Sequence, residues 1–483
     1  MARPGTVINV LDTTPPRSAP VGVDAWFITG FFEKGPTAAQ QVRGMTELEE
    51  IYGLRQGANP VAYDSAEAFF REGGSHMYVS RVVGPAPVKA STANMLDGSA
   101  VASIKVVAKT AGAWGNLLNA EVIAGGTGTE RIIIITHDTY GELERTLSGD
   151  KAGLIAQSAG LKNADIVSAG AGTLPAVVAP VSMTAGADDF TNATEVQWTA
   201  ALDLLTSDLG PGQVSAPGRT TSQAHTALLA HAERCNRIAL LDVAQGADKA
   251  ALRAAATATR VPSGGVSRYG AMFAPWAIIP GVAPNTLRTI PYSAIEAGMM
   301  ARTLNPNQAV AGVNGRSRFA VDLVPVGTAP LTDQDREDLN YDGVSIARIM
   351  YDGVRTYGYR SLADRSQYAQ WVQLTGVRLF MEIKAKCEQV LERHVFAQMD
   401  GRGFEFSSLN GDLKGEIAPY WNPMDALYGA TSEEAFHVDT GSAVNTPESI
   451  ANGQLKARVS LRVSPFAEEV ILDLVNQRIT EAL

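Results

Sequence analysis

The residues whose types could support chemistry are few and stand far apart in the chain. Asp242 ends the apolar run Arg237 to Val243, a place where α/β enzymes often carry a functional carboxylate, so it is the acidic position to test. A carboxylate in that place more commonly caps the next loop or helix. His225 and His231 lie six residues apart on one predicted helix and therefore on different faces, which makes them poor joint ligands for a metal ion.

Other recognisable signatures also favour structural roles. The glycine cluster at 125–128 lies between two predicted strands and opens no helix, so we interpret it as a loop and not as a phosphate cradle. Cys235 and Cys387 lack the CxxC spacing of metal or redox sites and are predicted to be structural thiols. The sequence contains no nucleophile elbow, zinc-protease helix, P-loop or calcium-binding loop. We therefore predict no catalytic residue, no metal and no cofactor.

Length and charge narrow the class of protein. A chain of 483 residues is too long for one hydrophobic core, so two to four domains are expected. The net charge of -10, without any basic run, argues against nucleic-acid binding. No apolar stretch approaches the roughly 18 residues of a membrane span, and the start of the chain lacks a signal-peptide pattern. We expect a protein that is made and folded in a cytoplasm and does not insert into a membrane.

A strong strand signal lies near the end of the chain, from Gln454 to Ser464. Apolar and polar residues alternate there without a break, which is the period of a strand buried on one face. A second β-prone run, Glu469 to Val475, is apolar on both faces and must pair with another strand to be shielded from water. The residues of these runs that we assign to an assembly interface are Leu455, Val459, Leu461, Val463, Val470, Leu472 and Leu474.

The start of the chain carries a comparable segment. Residues Gly5 to Leu11 are β-prone, and the proline-rich stretch Thr13 to Pro20 that follows them is a stiff, extended spacer. A strand at each end, one of them on a tether, suits β-augmentation, in which a strand of one copy completes the sheet of another. The pattern alone equally allows both strands to fold back onto their own domain. The assembly interface predicted for this segment comprises Val7, Ile8 and Val10.

Between the ends, strand and helix patterns alternate, are interrupted by a run of short strands, and resume at Thr194. This alternation predicts a mixed α/β protein whose core is a largely parallel sheet covered by helices. We expect four units: an extended N-terminal arm (1–20), an α/β core (21–87 plus 191–355), an inserted, surface-facing β-rich domain (88–190), and a C-terminal α+β assembly domain (356–483) whose arm begins at about residue 465.

The longest predicted helix runs from Ser366 to Gln398. One side of it is apolar, and the other carries charges of both signs, among them Arg378, Glu382, Glu388 and Glu392. Such a face is usually solvated, and in an assembly it could equally meet a neighbour.

Several short motifs follow one another in an order that runs through most of the chain. The motifs include Arg3-Pro4-Gly5-Thr6-Val7, Ala68 to Gly74, Tyr78 to Val82, Gly112 to Asn116, Ala216 to Arg219, Ala274-Pro275-Trp276, Val354 to Leu362 and the closing strands from Gly453 to Val475. No single motif is diagnostic, but in this order they resemble the tail sheath proteins of contractile bacteriophage tails and of related contractile injection systems.

The resemblance implies a structural subunit and not an enzyme. Copies of such proteins stack as rings around a tail tube, add their terminal arms to sheets of neighbouring copies, and contract to drive the tube through the host envelope. The implied partners are further copies, the tail tube protein, and the baseplate and tail terminator proteins, and the implied location is the virion tail. The alternative is another self-assembling component, such as a tube or baseplate protein. An α/β enzyme is the least supported reading.

If the protein forms a sheath that contracts, two further expectations follow for the mobile parts of the subunit. If the arms stay paired in both states, the spacer Thr13 to Pro20 and the connection Phe436 to Asn452 should act as hinges. The free-energy difference would then come from faces of the core that slide over one another. We expect the charged side of the helix around Arg378 to Arg393 and the predicted helix Asp333 to Leu339 to form those faces.

Overall fold

The computed structural model describes residues 22–57, 59–126, 129–303 and 305–468. The N-terminal interface residues Val7, Ile8 and Val10 and the C-terminal ones Val470, Leu472 and Leu474 lie outside these ranges. The first part of the chain provides β1 (Trp26–Gly30), β2 (Gln40–Val42), α1 (Met45–Tyr52), α2 (Val61–Glu72) and β3 (Met77–Arg81).

The next part, residues 88–187, forms two small antiparallel sheets that share a hydrophobic core of their own. Its elements are β4 (Met95–Leu96), β5 (Ala102–Ala108), β6 (Leu118–Ala124), β7 (Arg131–His137), β8 (Gly141–Ser148), α3 (Lys151–Ser158), β9 (Ala164–Ser168) and β10 (Val178–Ser182). The strand orders are β10-β6-β7-β8 and β4-β5-β9. Asp138, Thr139 and Tyr140 form the turn of the β7–β8 hairpin. Helix α3 was not predicted, because its residues lie in a block rich in glycine, alanine and serine.

The two ends of this part lie side by side where the chain leaves and re-enters the core. Val88 pairs with Ala187, and the Val88 oxygen accepts a hydrogen bond from the Ala187 amide at 3.0 Å. Next to this pair, the buried Arg81 guanidinium donates to Asp188 at 2.5 Å and to three main-chain oxygens of residues 32–35. Asp188 was predicted to belong to the inserted domain, but it completes the hydrogen bonding of a buried core arginine.

The chain then returns to the α/β core. Its elements are α4 (Glu195–Asp203), β11 (Gly212–Ser215), α5 (Ser222–Arg234), β12 (Arg237–Asp242), α6 (Lys249–Ser263), β13 (Gly270–Ala274), β14 (Ala277–Pro280), β15 (Leu287–Ile290), α7 (Tyr292–Arg302), β16 (Asp322–Leu323), α8 (Asp333–Tyr341), β17 (Val344–Met350) and β18 (Gly353–Thr356). The apolar run Tyr269 to Ile279 forms two strands and not one, because Pro275 offers no amide to a sheet partner and β14 joins β15 and β16 instead.

The core is an eight-stranded sheet in the order β18-β17-β13-β12-β11-β1-β3-β2. The six central strands are parallel, and an antiparallel strand closes each edge. Helices α1, α2 and α7 pack on one face, and α4, α5 and α6 pack on the other. Central strands covered on both faces are almost wholly apolar, as β1 and β12 are. The predicted helix-covered, largely parallel sheet is confirmed.

The last part contains α9 (Leu374–Arg393), α10 (Phe404–Trp421), α11 (Ser432–Ala435), β19 (Phe436–Asp439), α12 (Pro447–Ala451) and β20 (Arg458–Leu461). The helix predicted from Ser366 to Gln398 was too long. It starts at Leu374 because Arg360 forms a bridge to Gln373, and it ends before Phe396, whose positive φ of 65° cannot continue a helix. Helix α10 was not predicted, since two glycines and a proline interrupt its pattern, yet its apolar side packs on α9.

The predicted charged side of α9 is partly wrong. Arg378 is buried and donates to the Tyr359 hydroxyl and to the Met300 oxygen, both at 3.2 Å. Glu382 is also buried and accepts a hydrogen bond from the Tyr420 hydroxyl at 2.7 Å. A buried charge must be paired or hydrogen-bonded. Both side chains meet this requirement and therefore belong to the interior and not to a solvated face.

Candidate assembly surface

Within the strand predicted from Gln454 to Ser464, the segment with regular strand geometry is β20. It pairs antiparallel with β19. Phe436 lies opposite Leu461, and Asp439 lies opposite Arg458. The predicted alternation holds along the whole run: its apolar residues, including Leu455, are half-buried against the core of the C-terminal domain, and most of the residues between them are exposed. The strand therefore presents one apolar face to its own domain and one polar face to solvent.

One edge of this two-stranded sheet is open within the described residues. The Arg462 amide donates to the Ala435 oxygen at 2.9 Å, and the Tyr428 amide donates to the Arg462 oxygen at 2.7 Å. Successive residues of a strand direct their N–H and C=O groups to opposite sides. Leu461 and Val463 therefore direct their main-chain groups away from β19, toward a side on which no described residue pairs with them.

The other edge of the sheet is covered. Helix α10 packs beside β19, and the Asn410 side-chain amide donates to the Val438 oxygen at 2.8 Å. The Thr440 hydroxyl donates to the Phe406 oxygen at 2.9 Å and closes the end of the same edge. An incoming strand thus finds its main-chain partners on the β20 side.

A groove of about 630 Å³ borders the open edge. Residues 369–373 and the first turns of α9 form its other wall, where the Trp371 and Phe380 rings meet edge to face at 4.8 Å. Val463, just after β20, lies close to α9 at Gly376, where an added Cβ would make an ordinary van der Waals contact of 3.6 Å with Cγ1 of Val463. Free main-chain groups beside an apolar groove are the features by which β-augmentation sites bind an added strand.

A polar clamp holds the chain just after this strand. The Gln373 side chain accepts a hydrogen bond from the Phe466 amide and donates one to the Phe466 oxygen, both at 3.0 Å. Arg360 Nε donates to Glu468 at 2.9 Å. Half-burial alone would raise the pKa of Glu468, but the hydrogen bonds from Arg360 and Gln373 and the positive charges of Arg360 and Arg365 together hold that pKa below its usual value. Sequence reasoning missed this clamp, because nothing in the pattern links Arg360 and Gln373 with residues more than 90 positions away.

The connection Phe436 to Asn452, predicted to act as a hinge, is not an unstructured linker. This connection contains β19 and α12, and a side-chain staple fixes the loop between them. Asn445 donates to the Thr440 oxygen at 2.9 Å and to the Lys456 oxygen at 2.7 Å, and it accepts from the Lys456 amide at 2.8 Å. Because Asn445 bonds to the main chain both before and after it in sequence, this connection is an ordered part of the C-terminal domain.

Asp242 has a structural role. It accepts hydrogen bonds from the Gly218 amide at 3.1 Å, the Ser293 amide at 3.2 Å and the Ser293 hydroxyl at 2.9 Å. Complete burial raises the pKa of Asp242 to about 6, although these hydrogen bonds oppose the shift. Because Pro291 at the start of α7 has no capping side chain, Asp242 caps that helix from the neighbouring strand. The capping interpretation holds, but the capped helix is α7 and not the next helix in sequence.

The two helical histidines contact different residues. His225 Nδ1 lies 2.9 Å from the Thr259 hydroxyl, and His231 Nε2 lies 2.9 Å from Nη1 of Arg237. Burial lowers the pKa of His225 to about 4 and that of His231 to about 3, so both rings are neutral at pH 7. Among the described residues, no group of three or more histidine, cysteine or acidic side chains is placed to hold a metal ion.

Cys235 is buried, Cys387 is half-buried, and both are free thiols. No helix in the described part of the chain combines the length and apolar character needed to cross a bilayer.

No protein-family model and no curated protein matches the sequence. Solved structures do match the fold. The sheath tail protein of Listeria innocua superposes with a TM-score of 0.63 at 12% identity, covering 87% of this chain and 89% of the other. A chain of the anti-feeding prophage helical sheath in its contracted state gives 0.58 at 16% identity, covering 99% and 100%. A chain of the anti-feeding prophage baseplate gives 0.60 at 15% identity, with the same coverage. The protein therefore has the fold of contractile tail sheath proteins.

Proposed function

We propose that this protein is the structural subunit of a contractile tail sheath. Copies polymerise as stacked rings around a tail tube, exchange terminal β-strands, and contract to drive the tube through the host cell envelope. The observation that carries this proposal is the open edge of β20 beside an apolar groove, in a chain whose whole length follows the sheath fold. Asp242 and the two helical histidines could have supported an enzyme. All three side chains instead form hydrogen bonds with structural residues of the fold.

The tethered N-terminal segment can reach another copy. An extended proline-rich spacer rises about 3.1 Å per residue, so a ten-residue spacer can span about 30 Å. A compact subunit of this length has a radius of gyration of about 23 Å. The segment Gly5 to Leu11 can therefore extend past the surface of its own subunit. This reach supports strand exchange and the assignment of Val7, Ile8 and Val10 to the assembly interface.

The proposed assembly has several partners. Further copies meet through the β20 edge, and the tail tube, baseplate and tail terminator proteins contact the polymer at its inner surface and its ends. The subunit assembles in the bacterial cytoplasm and stays in the virion tail, without binding nucleic acid or inserting into a membrane. The part formed by residues 88–187 lies at the outer wall, since its two sheets complete a hydrophobic core of their own.

The C-terminal domain moves together with the core during contraction. The first turns of α9 carry Leu374 and Val377 into the core cluster, while Leu379 and Ile383 of the same helix pack in the C-terminal cluster. A continuous helix that packs in both clusters cannot bend between them at low cost, so the arms have to supply the flexible joints.

The sliding faces then lie on the outside of this rigid unit. Glu388 and Glu392 are exposed on α9 and remain candidates, whereas the buried Glu382 does not. We expect Glu388→Lys with Glu392→Lys to shift the denaturant or acid concentration at which sheaths contract, without preventing assembly, because exposed ion pairs exchange partners at a cost of only about 1 kcal/mol or less. An unchanged threshold would place these two residues away from any sliding interface.

Electron microscopy of the purified protein tests the function. A sheath subunit forms long helical tubes, with or without a tube protein inside. The second candidate is a baseplate component, which the similarity to a chain of the anti-feeding prophage baseplate favours. That candidate predicts discrete closed particles and no growth in length. A stable monomer or dimer at all concentrations and ionic strengths would contradict both.

A further inference from the structure

One glutamine side chain holds Phe466 in the way a neighbouring strand would. Gln373 Oε1 accepts a hydrogen bond from the Phe466 amide, and Gln373 Nε2 donates one to the Phe466 oxygen, both at 3.0 Å. An amide side chain has one acceptor and one donor group, so it can pair with both main-chain groups of a single residue. Gln373 is the N-cap residue of α9. Phe466 is therefore fixed beside the start of that helix.

An ion pair holds the chain two residues further on. Arg360 Nε donates to Glu468 at 2.9 Å, and Gln373 Nε2 also donates to Glu468, at 3.2 Å. Arg360 is itself anchored in the core, since its guanidinium donates to the Asn340 oxygen at 3.1 Å and its side chain is only 12% exposed. Residues 466–468 are thus attached to the α/β core and the start of α9.

The chain changes its attachment abruptly before these residues. Ser464 still belongs to the C-terminal domain, because its amide donates to the Ala426 oxygen at 2.9 Å. Two residues later the clamp holds the chain on the core. The groove beside the open edge is lined by residues of both parts, Leu461 and Glu468 among them. The clamp therefore adjoins the open edge of β20.

Chain length alone would allow the next segment to fold back onto its own subunit. Five residues, 464–468, separate Val463 from the β-prone run Glu469 to Val475. Hairpin loops commonly contain about two to five residues. A hairpin that covers the open edge would therefore have to turn within residues 464–468, and the clamp holds three of these five residues on the core.

Self-closure would also be strongly favoured by proximity. A segment on a short flexible linker has an effective concentration of about millimolar at a site on its own chain. Free subunits at micromolar concentrations would offer the same segment far less often. Exchange between copies therefore requires a contact within the subunit that opposes self-closure, and the clamp is placed to do so.

We propose that Gln373 and Arg360 are positioning residues that prevent the run Glu469 to Val475 from closing onto β20 of its own subunit. The inference rests on the proposed function, because it concerns what keeps the exchange site free before subunits meet. A self-closed subunit would present no open edge at β20 and would donate no strand from this run. The clamp thus protects the unassembled subunit from closing into an inactive form.

Cross-linking in dilute solution tests the inference without a polymer. Ser460→Cys with Asp473→Cys, treated with a short bismaleimide, gives a cross-linked monomer when the run lies on β20 of the same subunit. We expect little of this product with the clamp intact. Adding Gln373→Ala with Glu468→Gln should increase it roughly tenfold or more, because the loss of several hydrogen bonds shifts an equilibrium by at least that factor. Each single cysteine variant gives the background from the two native thiols.

The matched control changes the same residue types elsewhere in the chain. Gln157 accepts a hydrogen bond from the Leu147 amide at 3.1 Å, and Glu142 accepts one from Arg145 at 2.6 Å, both within the inserted part. Gln157→Ala with Glu142→Gln should leave the monomer product at the level of the intact clamp.

A single substitution serves if the double clamp variant does not fold. Glu468→Gln alone removes the charge that pairs with Arg360, whereas Glu468→Asp keeps it. We expect more cross-linked monomer from Glu468→Gln than from Glu468→Asp, with thermal unfolding of both within a few degrees of the unmodified protein. Equal amounts from the two variants would overturn the inference.

Assembly provides a second readout. Where the unmodified protein forms tubes, the double clamp variant should leave roughly tenfold more subunit in the supernatant after sedimentation, because self-closed subunits do not exchange strands. An unchanged supernatant would overturn the inference while the sheath function stands.

The remaining outcomes are also distinct. Equal monomer cross-linking with and without the clamp overturns the inference, and so does an equal rise in the control, which would attribute the effect to general destabilisation. Absence of any polymer from the unmodified protein contradicts the proposed function, while the comparison in dilute solution still shows whether the clamp prevents self-closure.

Discussion

Leu461→Asp should abolish polymerisation while leaving the subunit folded. In the isolated subunit Leu461 is half-buried opposite Phe436, so its replacement costs about 1 kcal/mol of apolar burial, and the carboxylate can still turn toward water. In the polymer an added strand would cover the same position and bury the charge, at a cost of about 4 kcal/mol. The difference of about 3 kcal/mol lowers the association constant by roughly two orders of magnitude.

The assay pairs sedimentation and electron microscopy with thermal unfolding. The matched control is His437→Asp, which places a carboxylate on the exposed face of the same sheet, opposite Ser460. We expect the control to form tubes and both variants to unfold within a few degrees of the unmodified protein. Tubes of normal length from Leu461→Asp would show that the β20 edge is not a joint between subunits. A variant that no longer folds would show that the strand belongs to the core.

Three further outcomes are expected. Deleting residues 1–20 should leave a folded, soluble subunit that forms no connected lattice, and normal tubes in the microscope would contradict strand exchange. Replacing residues 92–183 with a two-residue turn should preserve assembly and give a thinner wall, because Ser91 already pairs with Thr184; loss of the folded state by circular dichroism would contradict this. Complete burial raises the pKa of Glu296 to about 8 despite its hydrogen bond from Thr356, so stability falls as pH rises from about 4.5 to 8. Glu296→Gln should therefore raise the free energy of unfolding at pH 8 by up to about 4 kcal/mol and change it little at pH 4.5, and an equal effect at both pH values would refute the shift.

The sequence alone determined the features that repeat with a short period. The alternation of the run Gln454 to Ser464 predicted which residues face the domain and which face solvent, because a strand buried on one face constrains every second side chain. The alternation of helix and strand from Thr194 onward predicted the parallel sheet for the same reason, since strands covered on both faces have to be apolar throughout. The order of short motifs predicted the sheath fold.

The tertiary structure decided which charged and irregular segments are buried. Arg378 and Glu382 follow the spacing of a solvated helix face, yet α10 and the core cover them, and no local pattern encodes that cover. Helix α10 itself has weak helix propensity and owes its existence to packing on α9.

The openness of the β20 edge was likewise decided in three dimensions. An edge is open or closed according to which other strand lies beside it, and here residues 426–435 and α10 cover the β19 side alone. The clamp of Arg360 and Gln373 on residues 466–468 joins parts of the chain about 100 positions apart, so only the folded sheet and helix bring them together. Local periodicity specified the strand, and long-range packing specified what that strand can bind.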